Sequence, residues 1–183
     1  MALAWIPFHP TVLPAQAPVS AAQRYVEADI RFMQGMIAHH AQALDMAALV
    51  VSRTERRDLR LLAERIEVSQ KDEIAFMRRW LLDRGAEAPV PAADHARHGS
   101  LMPGMLTADE MARLEQARGP GFERLFLEGM ITHHQGALTM VAELVGAGGG
   151  QESALFRFAS EVDTDQRAEI SRMRALVNTL PPM

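Results

Sequence analysis

The chain contains no cysteine. That excludes disulfides, thiolate nucleophiles, cysteine-ligated zinc and iron–sulfur clusters held by cysteine. Aromatic residues are scarce, at 5% of 183 positions. An excess of charge of one sign is also missing. Nineteen basic residues stand against 23 acidic ones, for a formal net charge of -4. No basic footprint or basic aromatic patch for nucleic acid results. There is no Gly-rich phosphate loop and no nucleophile elbow. No hydrophobic run spans a membrane. The longest uncharged apolar stretch, residues 1–23, is broken by Pro7, Pro10, Pro14 and Pro18. Within it Ala15-Gln16-Ala17 has the small-x-small look of a cleavage site. The basic start and clean apolar run of a convincing signal peptide are absent. Residues 1–18 read as an extended, proline-rich arm.

What is present suits one globular domain: 48% hydrophobic and 23% charged residues. All ten prolines fall outside residues 19–88 and 121–180. Both blocks carry helical periodicity, with hardly any strand signal. Ser52-x-x-Glu55 reads as a capping box dividing the first block into helices over 19–51 and 54–84, with Gly85 as the stop. A crossover over 86–119 follows. It contains a short helix opened by Thr107-x-x-Glu110 and closed near Gly119. Glycines 146 and 148–150 divide the second block into helices over 121–145 and 151–178.

The chain repeats itself. Residues 29–50 align with 123–144 at an offset of 94, with ten identities in 22 positions. The second helices match at an offset of 96. A duplicated helical hairpin cannot bury its apolar stripes alone. The expected fold is therefore all-α: one four-helix bundle over 19–180, built from hairpins 19–85 and 120–180.

The repeat carries chemistry. Met-x-x-His-His-x5-Met occurs as Met36, His39, His40 and Met46, and again as Met130, His133, His134 and Met140. Steps of three and four place these residues on one helix face, with adjacent His diverging by about 100°. Met at such spacing is ordinarily gap filler and a lone core His is ordinarily hydrogen-bonded packing. More than half of the 22 aligned positions have changed, yet both His pairs remain. A buried imidazole without a partner costs about 1–3 kcal/mol, and leucine would serve a core better. Retention therefore points to metal ligation by these eight side chains.

The second helices add Gln70, Glu73 and Met77, matched by Gln166, Glu169 and Met173. Both Glu stand on the face that should turn inward. Each is expected to accept from a ligating His, or occasionally to ligate through oxygen; an interhelical pair with Arg is the alternative. The crossover holds a third cluster: Asp94, His95, His98, Met102 and Met105. It reads as an auxiliary tract able to pass soft ions, or simply as a surface loop. Thioether with imidazole suits copper, Met favouring Cu(I) and His holding Cu(II). Zinc has little use for Met, and a di-iron carboxylate site would need Glu-x-x-His, which is absent.

These residues resemble the bacterial family catalogued as domain of unknown function 305. The matching pieces are Met36–Met46, Gln70-x-x-Glu73-Ile74-x-x-Met77, His98–Leu106, Met130–Met140 and Gln166-x-x-Glu169-Ile170-x-x-Met173. The match extends over about residues 25–178. The resemblance implies a ferritin-like four-helix bundle and an exported protein, periplasmic or secreted. Some members of the family are copper-binding or copper-resistance proteins. The expectation is thus an extracytoplasmic copper protein acting as chaperone, buffer or resistance factor, without catalysis. Its partners are metal ions, not nucleic acid, and a homo-oligomer is compatible with the sequence. The alternatives are a ferritin-like metal-dependent oxidoreductase and a bundle whose His are structural.

Overall fold

The computed structural model describes residues 25–90 and 102–181. Five helices follow in order: α1 Glu27–Arg53, α2 Arg57–Leu82, α3 Ala108–Gln116, α4 Gly119–Gly146 and α5 Ser153–Val177. Among the described residues there is no strand. None of these helices is long and apolar enough to cross a membrane. The expected arm over 1–18, and Asp94, His95 and His98, lie outside the described residues.

Several helix limits need correction. The first helix begins at Glu27, not 19, behind an extended Val26. Asp29 fixes that start: its carboxylate accepts the Val26 N–H at 2.8 Å. Ser52 does not open α2 either. Its hydroxyl donates to the Leu49 carbonyl inside α1, and α2 starts after Arg56. The Thr107–Glu110 capping box is formed, but α3 ends at Gln116 and Gly119 already opens α4.

Helices α1 and α4 form the inner pair and run antiparallel. Met140 reaches over Gly35 and Met46 over Gly129, so the contacts proceed in opposite senses along the two chains. These four positions match at the 94-residue offset, so the pair is related by an approximate two-fold axis. Each inner helix also packs on its own hairpin partner, α1 on α2 and α4 on α5. The outer helices meet where Phe76 stacks on Phe158 at 4.8 Å.

The same symmetry governs the ends. Asp29 accepts from the Gly150 N–H at 2.7 Å, and Glu123 accepts from the Thr54 hydroxyl at 2.5 Å. Each acid, matched at the same offset, ties its inner helix to the hairpin loop of the other copy. Both are buried, where a carboxylate persists only with such partners.

The core falls into two apolar clusters. One gathers Phe32, Met33, Met36, Met77, Trp80, Met140 and Phe158; the other gathers Met46, Val50, Ile66, Phe122, Phe126, Met130 and Met173. Between them the four His of the repeat are buried. Residues 102–107 cross the α1/α4 pair as a strap. Gln42 clamps it, donating to the Leu106 carbonyl at 2.9 Å and accepting from its N–H at 2.7 Å. Only glycine fits beneath it. A Cβ on Gly136 would stand 1.8 Å from the Pro103 carbonyl oxygen, and Gly104 adopts φ 76.

Candidate metal centre

His40 and His134 point toward the outer helices. His40 Nε2 donates to Glu73 Oε2, and His134 Nε2 donates to Glu169 Oε2 at 2.6 Å. Glu73 also accepts from the Ser69 hydroxyl at 3.1 Å. The expected His–Glu pairing is therefore formed in both copies, and the alternative of an Arg partner is not what the structure shows. His39 and His133 turn toward the centre of the inner pair. Their rings lie 3.8 Å apart at 37°. His39 Nε2 donates to the Pro103 carbonyl at 3.0 Å, and His133 Nε2 donates to the His39 carbonyl at 3.0 Å.

These partners set the tautomers. A carbonyl or a carboxylate only accepts, so Nε2 carries the proton in each neutral ring. Nδ1 is then a bare lone pair. In all four His this Nδ1 is buried and has no hydrogen-bond partner among the described residues. Among the described residues Gln70, also buried, has neither amide atom partnered, and the Gln166 carbonyl oxygen is likewise alone.

Burial pushes His39 down to about 3, helped by the neighbouring His40 and His134 and opposed by the Pro103 carbonyl. Burial holds His133 well below the usual imidazole range too, with His39, His134 and His40 adding to it. Both rings are thus neutral and ready to donate an electron pair. Burial pushes Glu73 up, but its hydrogen bonds from His40 and the Ser69 hydroxyl carry it below the ordinary value. Asp165, nearby on α5, is raised by burial and by the charges of Glu73, Glu169 and Glu161.

The methionines of each copy are divided between the two ends. Met36 and Met77 share a cluster with Met140; Met46 shares the other with Met130 and Met173. An antiparallel pair makes this unavoidable, because Met46 lies seven residues, about 10 Å, beyond His39 on the same rod. Each end is thus assembled from both copies. Met102 packs on the first cluster, while Met105 lines a surface cleft with Leu106, Glu110 and Gly129. Among the described residues no three His, Asp or Glu side chains converge on one point suited to a metal ion. The sequence did not single out Gln42, Gly136 or the Pro103 carbonyl. Their role depends on where the strap lies, which no helical periodicity encodes.

The profile of the family described as Domain of unknown function (DUF305) matches residues 29–177. A DUF305 fragment from Deinococcus radiodurans is similar in structure, with a TM-score of 0.73 and 34% identity; the match covers 85% of this chain and 99% of that one. A DUF305 protein from Streptomyces coelicolor, predicted to be secreted, gives 0.72 and 30%, over 82% and 91% of the two chains. CopM in its Cu(II)-bound form gives 0.67 and 28%, over 82% and 95%, and its Cu(I)-bound form gives 0.65 and 26% over the same shares. An uncharacterized protein of Acanthamoeba polyphaga mimivirus is 38% identical over 62 residues, which is 34% of this chain and 41% of that protein. The match thus spans less than half of that viral protein. With both its profile match and its fold in agreement over most of its length, the chain belongs to the DUF305 family.

Proposed function

We propose that this protein binds copper outside the cytoplasm, as a carrier, buffer or resistance factor rather than a catalyst. One observation carries the reading: four buried imidazoles, each fixed through Nε2, present four Nδ1 lone pairs that nothing among the described residues satisfies. Anchoring one ring nitrogen on a carboxylate or carbonyl orients the other toward a metal and raises its basicity. The anchored rings of His39, His40, His133 and His134 fit that role. Met36, Met140, Met46 and Met130 would supply sulfur from the two apolar ends. Gln70 and Gln166 would supply amide oxygen, with Met77 and Met173 behind them. Among the described residues no three nitrogen or carboxylate ligands are gathered in advance, so sulfur or a turned ring would complete the shell.

Imidazole accepts either oxidation state of copper, and thioether favours Cu(I). Zinc would use the nitrogen and leave the sulfur idle. The copper-bound forms of CopM support the cargo, and the description of the Streptomyces coelicolor relative as a predicted secreted protein supports the location.

The test is a Cu(I) titration of the apoprotein against a competing chelator. Sub-micromolar binding is expected, weakened at least 100-fold in His40→Gln/His134→Gln, which keeps an N–H for each Glu. Equal binding by that variant rejects the reading. Saturating copper at 1,000 times the dissociation constant should also stabilise the fold by about 4 kcal/mol.

A further inference from the structure

A groove of about 280 Å³ opens between the first half of α1 and the second half of α4, at the edge of the strap. Its floor is the bare backbone of Gly35. Met102 Sδ lies 3.3 Å, and Met140 Cε 3.4 Å, from the point where a Cβ on Gly35 would stand. Two methionine side chains from separate segments, the strap and α4, therefore converge over one glycine, Met102 by its sulfur and Met140 by the methyl beside its sulfur. Met140 is 7% exposed and Met102 is half-buried, so the pair borders the open groove. Glu143 adds a carboxylate to its wall, and Arg31 stands on α1.

The two-fold axis supplies an internal control. Over Gly129, the counterpart of Gly35, stand Met46 Cε and Leu106 Cδ2, each at 3.3 Å. The packing is the same, but a leucine replaces one sulfur. Filling space over a glycine thus does not demand a second thioether. Met102 is also joined to Pro103, whose carbonyl holds the His39 ring. The groove lies one residue of strap away from the buried imidazoles.

We infer that Met102 and Met140 form a docking site for a soft monovalent cation, Cu(I) or Ag(I), at the mouth of the path to His39. Thioether is an uncharged soft donor, so it selects such ions over calcium, magnesium and zinc. The step is coordination only: water leaves the ion and sulfur replaces it, with no change of oxidation state. The inference rests on the copper reading for the onward destination, while docking at the groove stands on its own geometry.

The experiment titrates Ag(I), a redox-inert probe, into full-length protein carrying ¹³C-methyl methionine. The Met102 and Met140 methyl signals should move first, within the first equivalent. Met102→Leu/Met140→Leu should lower silver affinity at least tenfold, and Met102→Leu alone should leave Cu(II) uptake by the His set unchanged. In His40→Gln/His134→Gln silver should still bind the two sulfurs, whatever becomes of Cu(II). Unmoved Met102 and Met140 signals through the first equivalent, or equal silver affinity in the double-leucine variant, overturns the proposal. The methyl signals are read on the parent protein, so a misfolded variant does not shelter the idea.

Discussion

The two hairpins make the same chemistry and differ in how the outside reaches it. Both copies hang one imidazole on a glutamate of the outer helix, His40 on Glu73 and His134 on Glu169. Both place a glycine of the inner helix under a methionine of the other. The strap breaks the symmetry. On the first copy it is clamped by Gln42 and gives a carbonyl to His39; on the second it lies against Gly136, the counterpart of Gln42. His133 turns instead to the His39 carbonyl. Duplication thus specifies the ligands, and the connection between the copies specifies the approach to them.

Acid is the strongest way to probe what the copies share. His39 and His133 are held neutral in the fold, while in the unfolded chain each titrates near 6.5. The unfolded chain therefore takes up protons that the folded one refuses. Stability is complete above about pH 6.5 and drains away as pH falls, costing about 2 kcal/mol at His39 by pH 5, with His133 acting in the same direction. Urea midpoints measured from pH 7.5 to 5 should fall steadily. A flat profile over that range contradicts buried, neutral rings.

Gly136→Ala strikes where the copies differ. Its Cβ would collide with the Pro103 backbone, not with a movable side chain. Overpacking, with loss of the Pro103 and Gln42 hydrogen bonds, should cost about 3 kcal/mol in a urea melt. Glu73→Ala and Glu169→Ala test equivalence again. Each leaves a buried Nε2–H without its acceptor, a loss of about 1–3 kcal/mol by the same melt. A large difference between these two breaks the two-fold symmetry of the His–Glu pairs. Leu106→Met is the gentlest. It should cost under about 1.5 kcal/mol and set a second methionine beside Met46 over Gly129. Silver stoichiometry should then rise by one equivalent, read by competition titration.

Most of the fold was legible because the bundle is made of repeats. A twofold Met-x-x-His-His pattern and paired Glu positions carry their own cross-check, and the His–Glu hydrogen bonds formed as expected. Ser52-x-x-Glu55 misled because α1 runs on to Arg53, which leaves the Ser52 hydroxyl bonded within its own helix. Asp29 and Glu123 stood first in the aligned repeat, and the structure makes them loop clamps rather than ligands. Distance along a single helix separates them from the His, and partners on the other copy explain their burial. The split of Met36 from Met46 follows from the antiparallel crossing of α1 and α4, a property of the pair that neither helix states alone. The strap was hardest to read, since its hold on His39 and Gln42 runs through backbone groups that any residue supplies.

The most direct measurement is ¹⁵N resonance of the four imidazoles before and after one or two equivalents of Cu(I). The Nδ1 signals of His39, His40, His133 or His134 should shift sharply while each Nε2 keeps its proton. Tight copper binding with every Nδ1 unchanged would contradict ligation by these rings.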